Sequence, residues 1–125
     1  MDRASPHLPR AAQIEAYGKG GFRFAGMSHR GSLLCLPDGI WPTPVRTPRE
    51  ITAQTLALVF AEGAAIEHFL IGAGRDFWPL PRELAALFAG HDIAVESMTT
   101  ASAIMTYNIL LEERRRVAAL LIAVD

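Results

Sequence analysis

Apolar and polar residues alternate along the first third of the chain. In residues 13–26, QIEAYGKGGFRFAG, two short alternating stretches flank a glycine-rich centre, which is the pattern of a β-hairpin. Residues 32–36, SLLCL, form another apolar strand that ends at the turn residues 37–39, and a brief strand is expected to follow as far as Trp41. This third of the sequence therefore predicts a β-rich structure.

From residue 51 onwards, segments with apolar residues at helical spacing alternate with short, uniformly apolar runs. Three helices are predicted, at residues 51–63, 80–90 and 99–113. Thr52 is the expected N-cap and Gly63 the stop of the first helix, while Pro81 and Gly90 mark the two ends of the second. Strands are predicted at residues 66–72, 93–98 and 115–124. Strands that alternate with helices of this length predict a largely parallel sheet covered on both faces.

The last of these strands, residues 115–124, is predicted to lie inside the sheet. Its alternate residues face opposite sides, and beyond the two arginines both sets are apolar. Arg115 and Arg116 then project to opposite sides at the rim of the sheet. There they are expected to cap helix C-termini, to pair with Glu112 or Glu113, or to hold an anion.

The last predicted helix carries an amide among apolar residues. On a helical wheel, the stripe expected to face water consists of Ser102, Thr106, Ile109 and Glu113, and the opposite stripe of Ile104, Tyr107 and Leu111. Asn108 lies beside the apolar stripe, so it is at least partly buried and its amide needs partners. It either ties down a neighbouring loop or binds a ligand. Ile109 is either an isolated exposed residue or part of a partner surface.

Composition narrows the class of protein. A chain of 125 residues suffices for one domain, expected at residues 12–125 after a loose N-terminal leader at residues 1–11. The net charge of −1 gives no general attraction to a phosphate backbone, so nucleic acid is not an expected partner. The longest uninterrupted apolar run, residues 117–124, is too short to span a membrane, and no secretory signal is recognised, so membrane insertion is not expected.

The residues that carry most catalytic and metal chemistry are sparse. Cys35 is the only cysteine, so one chain forms neither an internal disulfide nor a thiolate zinc site, and a cytoplasmic location is expected. The four histidines, His7, His29, His68 and His91, include no i, i+4 pair. No nucleophile elbow, P-loop or H-E-x-x-H motif occurs. We therefore assign no catalytic residue, metal or cofactor, and the residues favour a non-catalytic protein while leaving enzymatic activity open.

A glycine pair follows the predicted strand at residues 66–72. Gly72-Ala73-Gly74 resembles the start of a dinucleotide-binding fingerprint, but Phe77 stands where the third small residue is needed, and no helix opens directly after Gly74. What remains is a turn at the carboxyl end of a parallel strand, where open α/β sheets bind ligands. The turn indicates either an anion or small-ligand site, or a steric need for glycine.

Four segments of the chain together resemble a known family. They are IEAYGKGGFRFAG, GSLLCLPDGI, LIGAG and MTYNILLEERRRVAALLI, and the likeness covers about residues 13–124. The family is that of mitochondrial respiratory complex I assembly factor 3 and its bacterial relatives, the domain of unknown function 498/598. The set is specific because that family joins a Gly-Phe hairpin, a G-T-G turn, a Thr-Tyr-Asn helix and an E-G-R-R-V exit in one spacing.

The resemblance implies an α/β fold of three layers. Its central sheet is mixed, and its last strand runs antiparallel to the others. The helices on both faces and the N-terminal β-hairpin-rich addition are those that the residue pattern predicts. It implies no established enzymatic activity, and protein partners that include subunits of a membrane-bound complex. The family's motif positions fall on Gly72, Gly74, Thr100, Thr106, Tyr107, Asn108, Glu113, Arg115 and Val117. From these, the candidate ligand-binding residues are Gly72, Gly74, Thr100, Tyr107, Asn108 and Arg115, which are expected to form one polar pocket.

This chain departs from the family pattern at three positions. Ala73 stands where the family turn usually has Thr, Met105 where Arg is common, and Arg114 where Gly is usual.

The residues and the resemblance together leave two hypotheses about function. The first is a non-catalytic interaction or assembly protein linked to biogenesis of a respiratory complex or of membrane proteins. The alternative is a small-molecule or anion-binding protein that uses the Gly72-Gly74 turn with Asn108 and Arg115, with enzymatic activity left open. The lost hydroxyl and guanidinium weaken the alternative.

Overall fold

The computed structural model describes residues 6–61 and 65–125. A small antiparallel sheet consists of β1 (Ile14–Gly18), β2 (Gly21–Phe24) and β3 (Met27–Arg30). A five-stranded sheet consists of β4 (Ser32–Leu36), β5 (Gly39–Thr43), β6 (His68–Gly72), β7 (Ala94–Met98) and β8 (Val117–Leu121). The helices are α1 (Ala57–Ala61), α2 (Arg82–Gly90) and α3 (Thr100–Glu112), with a 3-10 turn at Pro48–Glu50.

The small sheet is built from two tight hairpins. The predicted hairpin corresponds to β1 and β2, and its turn is Lys19-Gly20, with φ angles of 53° and 80°. The second turn, Ala25-Gly26, has φ angles of 50° and 72° and leads into β3. Consecutive positive φ values match the twist of the adjoining strands. The third strand was not predicted. It lies at the edge of the sheet, and only its inward-facing residues, Met27 and His29, are partly buried, so its sequence shows no clear apolar alternation.

The large sheet has the strand order β5-β4-β8-β6-β7. As predicted, β8 lies in the interior, and all five of its residues are buried. The implied antiparallel direction of this last strand is wrong: β8 is parallel to β6 and antiparallel to β4. The reason is the connection through α3, which carries the chain from the end of β7 back to the starting edge of the sheet. The sheet is mixed because β4 runs against β8.

Two apolar cores cover the faces of the large sheet. On one face, Ala118 and Leu120 of β8 pack with Val59 of α1 and Phe88 of α2. On the other face, Ala119 and Leu121 pack with residues of α3 and of the small sheet, among them Ile104, Tyr107, Phe22 and Phe24. The three-layer α/β fold with helices on both faces and an added N-terminal hairpin is therefore confirmed. The small sheet shares a layer with α3.

The first helix is shorter than predicted. Thr52 does cap a turn, since its hydroxyl accepts from the backbone N–H of Thr55 at 3.3 Å, and the Thr55 hydroxyl donates back to the Thr52 carbonyl at 3.0 Å. Such local side-chain bonds favour a turn over a helix, and α1 begins only at Ala57. The predicted stop at Gly63 lies outside the described residues.

The described part of the N-terminal segment is hydrogen-bonded to β5. Residues 1–5 of the expected leader lie outside the described residues. Leu8 forms a two-way bridge with Ile40, through N–O distances of 3.2 and 2.9 Å, and the backbone N–H of His7 also donates to Ile40. The ring of His7 lies 5.1 Å from that of His29. Among the residues described, no helix has the length and apolar character needed to cross a membrane.

Candidate functional site

Three of the candidate residues meet at the carboxyl end of β6. Gly72 ends that strand, Gly74 follows in the turn, and Thr100 begins α3. The buried Thr100 hydroxyl accepts from the Gly74 N–H at 2.9 Å and donates to the Ile122 carbonyl at 2.8 Å. The Thr100 N–H in turn donates to the Gly74 carbonyl at 2.9 Å. One side chain thus joins the turn, the helix start and the segment after β8.

Glycine is needed at positions 72 and 74 for two different physical reasons. A Cβ at Gly72 would lie 3.0 Å from a Leu121 methyl, 3.1 Å from the Ala103 Cβ and 3.1 Å from the Thr100 Cα. Gly72 therefore permits the close approach of α3 to the sheet. Gly74 has no such neighbour, but its φ of +104° lies where side chains other than hydrogen are strained. The steric reason for glycine, which the sequence left as one of two, holds at Gly72.

A cleft opens beside this junction. Its volume is about 430 Å³, and its lining includes Gly74, Arg75, Thr99, Ala101 and Tyr17. The first turn of α3 borders it, and the Thr99 hydroxyl accepts from the Ser102 N–H as the N-cap. The Arg75 guanidinium donates to the main-chain oxygen of Asp125. The cleft thus combines a cationic side chain and the positive end of a helix dipole with the acidic Asp125, which also lines it.

Tyr107 and Cys35 form a buried polar pair behind the junction. The Tyr107 hydroxyl donates to the Ala12 carbonyl at 3.3 Å. Burial raises the pKa of the Cys35 thiol to about 12, although its contact with Tyr107 partly opposes that rise. Burial, reinforced by Cys35, also raises the pKa of Tyr107 above its usual range. Both groups are therefore neutral near pH 7, which suits neither for nucleophilic or acid–base chemistry there.

Asn108 binds the edge of the small sheet. Its side-chain oxygen accepts from the Ile14 N–H at 2.9 Å, and its side-chain nitrogen donates to the Ile14 carbonyl at 2.9 Å. The Gln13 side chain donates to the Asn108 carbonyl at 3.1 Å. The amide thus occupies both backbone groups of Ile14, as a neighbouring strand would. This is a tying contact, one of the two roles left open for Asn108, with strand β1 in place of the expected loop.

Arg115 lies at the other end of the sheet. Its guanidinium donates to the Glu67 carboxylate at 3.1 Å and lies 3.0 Å from the Nε2 of His68, at the start of β6. Arg116 approaches the same carboxylate at 3.9 Å. The hydrogen bond from Arg115 holds the pKa of Glu67 below its usual range. The arginines form ion pairs as one of the expected roles, but with Glu67 rather than with Glu112 or Glu113.

The structure brings together some candidate residues and separates others. Gly72, Gly74 and Thr100 are in contact, whereas Asn108 lies eight residues further along α3, a rise of about 12 Å. Arg115 precedes β8, and β8 runs parallel to β6, so Arg115 and the turn after Gly72 lie at opposite ends of these strands. Within residues 6–61 and 65–125, no three His, Cys, Asp or Glu side chains are grouped to hold a metal ion.

The most exposed large apolar residues were only partly found from the sequence. Exposure reaches 74% at Phe77, 66% at Met105, 51% at Ile109 and 46% at Tyr17. Ile109 was predicted on the water-facing stripe. Met105 lies one turn before it, so the same helical wheel contained the signal. Phe77 lies in the loop between β6 and α2, where no periodicity predicts exposure.

A second cleft runs along the outer face of the small sheet. It has a volume of about 510 Å³, and its lining includes Tyr17, Lys19, Arg23 and Arg30. No Asp or Glu belongs to its described lining. We call it the basic groove. No local pattern in the sequence indicates this groove, because its cations reach one face only through the pairing of β2 with β3, and β3 was not predicted.

Comparison with known proteins relates the chain to several others. A profile of the family described as "Protein of unknown function (DUF498/DUF598)" matches residues 14–122. An uncharacterized protein of Rhodobacter capsulatus is 36% identical over 122 residues, which cover 98% of this chain and 93% of that protein. NADH dehydrogenase (ubiquinone) 1 alpha subcomplex assembly factor 3 of Xenopus tropicalis is 31% identical over 109 residues, covering 87% of this chain and 60% of that protein. The chain thus spans about three fifths of that assembly factor.

A solved structure shares the fold along almost the entire chain. The crystal structure of an outer membrane protein from Bartonella henselae matches with a TM-score of 0.91 and 46% sequence identity. The match covers 95% of this chain and 100% of that one. Similarity at this level extends to the small sheet as well as to the large one.

Proposed function

The chain belongs to the DUF498/DUF598 family, and from this premise we propose that it is a non-catalytic interaction protein that assists assembly of a membrane-bound complex. The vertebrate relatives carry the name of an assembly factor. The partners we propose are protein subunits or biogenesis factors of such a complex. The expected resemblance to that family is confirmed.

The observation that carries this proposal is an apolar stripe on α3. Ala101, Met105 and Ile109 follow one another at intervals of four residues on its solvent face, and Met105 and Ile109 are 66% and 51% exposed. Two large apolar side chains one turn apart present the kind of helix face that a partner protein covers. Tyr17, which shares a cleft with Ala101, extends this surface toward the small sheet.

Several of the buried polar groups fit the proposed non-catalytic role. The Cys35 thiol and the Tyr107 hydroxyl are buried and neutral, and their raised pKa values keep them so near pH 7. The side chain of Asn108 is hydrogen-bonded to the backbone of Ile14, and that of Arg115 to the carboxylate of Glu67. Both side chains therefore make structural contacts within the protein.

The test is affinity capture with an altered stripe. Met105→Glu combined with Ile109→Glu places two charges on the proposed contact, and we expect recovery of membrane-complex subunits or biogenesis factors to fall by about tenfold or more. Ala86→Glu combined with Ala89→Glu is the matched control, because it adds two carboxylates to exposed positions of α2. Circular dichroism and the thermal midpoint establish that both variants fold. Capture of no such protein by the wild type, or equal capture by both variants, contradicts the proposal.

One observation favours a second candidate, a small-molecule or anion-binding protein. The cleft beside Gly74 contains Arg75 and borders the start of α3, at the carboxyl end of β6, where α/β sheets bind ligands. This candidate uses Gly74 and Arg75, which line the cleft. The buried Gly72 and Thr100 hold the turn in place without lining the cleft. Tyr107, Asn108 and Arg115, the other candidate residues, lie outside the cleft and bond to Ala12, Ile14 and Glu67 respectively.

A thermal-shift screen tests the second candidate. A ligand at about 100 times its dissociation constant adds about 2.7 kcal/mol of apparent stability. We therefore expect a nucleotide, a cofactor or a small anion to raise the melting temperature of the wild type. Arg75→Gln should reduce that rise, while Arg82→Gln, an exposed cation on α2, should not. A screen without any shift, or an equal shift in both variants, argues against a ligand in this cleft.

A further inference from the structure

Charge is unevenly distributed along this nearly neutral chain. The net charge is −1, yet residues 6–46 contain five basic residues and two acidic ones. Three of the five, Lys19, Arg23 and Arg30, line the basic groove. The excess of positive charge is therefore concentrated on one face of the small sheet.

Strand pairing explains how these cations reach one face. Phe22 and Phe24 of β2 are buried against the core, so Arg23 between them points outward. Arg23 pairs with Ser28 of β3, and Arg30 pairs with Gly21, which places Arg30 two positions further along the same outer face. Lys19 stands at the β1–β2 turn. The groove thus carries cations at its turn, its centre and its edge strand.

Two of these cations are available for a partner. Arg23 lies 3.5 Å from the Glu15 carboxylate, and 3.3 Å from the Ser28 hydroxyl. In the part of the chain that the structure describes, Lys19 and Arg30 form no ion pair. His29 adds little positive charge near pH 7, because burial and the neighbouring His7 lower its pKa.

The arrangement fits an extended anion better than a small one. Lys19 and Arg30 lie near the β1–β2 turn, since Arg30 pairs with Gly21, while Arg23 lies two positions further along β2, so the three cations form a row that an extended anion can follow. Stable adsorption to anionic lipid commonly uses clusters of four to eight cations, about twice as many as line this groove. Affinity for nucleic acid grows with each phosphate neutralised, and three cations on a chain of net charge −1 give little of it.

The basic groove is continuous with the apolar stripe. Tyr17 lines both the groove and the cleft beside Gly74, and Ala101, the first residue of the stripe, lines that same cleft. We propose that the basic groove binds an extended acidic segment of a partner protein. This inference rests on the proposed function and specifies the chemistry of the partner. The acidic segment would lie across the outer face of the small sheet while neighbouring apolar residues contact α3.

The probe is a fluorescein-labelled decapeptide of alternating Glu and Asp, measured by fluorescence anisotropy at low salt. Lys19→Asn combined with Arg30→Gln should weaken binding about fivefold or more and reduce its dependence on salt. Lys19→Asn keeps the turn intact, because asparagine tolerates the positive φ of 53° at this position. The matched control, Arg49→Gln combined with Arg82→Gln, removes two exposed positive charges elsewhere and should leave binding unchanged.

Four results would overturn the inference. The first three are absence of peptide binding, equal weakening in the control variant, and tighter binding of a thymidine decanucleotide or of phosphatidylglycerol vesicles than of the peptide. Displacement of the peptide by inorganic phosphate at matched ionic strength would assign the groove to a small anion instead, and would also overturn it. Met105→Glu combined with Ile109→Glu should keep peptide binding, so failure of the apolar stripe in the capture experiment is distinguishable from failure of the groove.

Discussion

Replacing Thr100 by valine is expected to lower the free energy of unfolding by about 2–4 kcal/mol. The Thr100 hydroxyl accepts from the Gly74 N–H and donates to the Ile122 carbonyl, and its side chain is completely buried. Valine has the same shape without the hydroxyl, so both backbone groups lose their partner in a place that water does not reach. The penalty comes from those two unsatisfied groups rather than from lost packing.

The measurement for Thr100 is urea denaturation, with Thr100→Ser as the control. Serine keeps the hydroxyl and removes one methyl group, so we expect a loss of only about 1 kcal/mol. A valine variant that is as stable as the serine variant would show that the hydroxyl does not join the turn to the segment after β8. The dependence of the free energy of unfolding on urea concentration should be alike in all three proteins, since unfolding exposes nearly the same surface area in each.

The second large effect is expected from one added methyl group at Gly72. In Gly72→Ala, the new Cβ would lie 3.0–3.1 Å from Leu121, Ala103 and Thr100, and only the Leu121 methyl has freedom to move away. The remaining two contacts require α3 to shift from the sheet. Overpacking of this kind lowers stability by about 1–3 kcal/mol.

The control for Gly72 is the same substitution at Gly90. Gly90 ends α2, and a Cβ there has open space around it. Alanine is the better helix former, so Gly90→Ala should leave stability unchanged or raise it by up to about 1 kcal/mol. Thermal unfolding of the two variants side by side gives opposite signs if packing against α3 is the reason for glycine. Equal changes in stability would mean that the backbone entropy of the unfolded chain, and not contact of the new Cβ with α3, determines the effect of both substitutions.

Periodicity predicted most of the fold because the buried residues set it. The alternation in residues 13–26 predicted the first hairpin, and the uniformly apolar run at residues 115–124 predicted an interior strand, which β8 is. Direction was harder to predict, because an apolar run reads the same in a parallel and in an antiparallel neighbour. The start of α1 was also missed, since Thr52 and Thr55 bond each other's backbone and hold a turn where helical spacing begins.

The candidate site was predicted less well than the fold. Gly72, Gly74 and Thr100 do meet, because the end of a strand and the start of the following helix share one edge of the sheet. Asn108 and Arg115 were expected in the same pocket, but their positions depend on which way β8 runs and on what borders α3. The partner of Asn108 is Ile14, 94 residues away in the sequence. Contacts at such separation leave no local pattern.

The central position of β8 also has a consequence for how the chain acquires its fold. The four other strands of the sheet all precede β8 in the sequence, and within the sheet β4 and β6 are joined only through it. During synthesis the ribosome must therefore release this strand before either half can complete its hydrogen bonding. Until then, the edges of β4 and β6 offer open templates to other chains, so the unfinished chain is more prone to intermolecular strand pairing than the folded one.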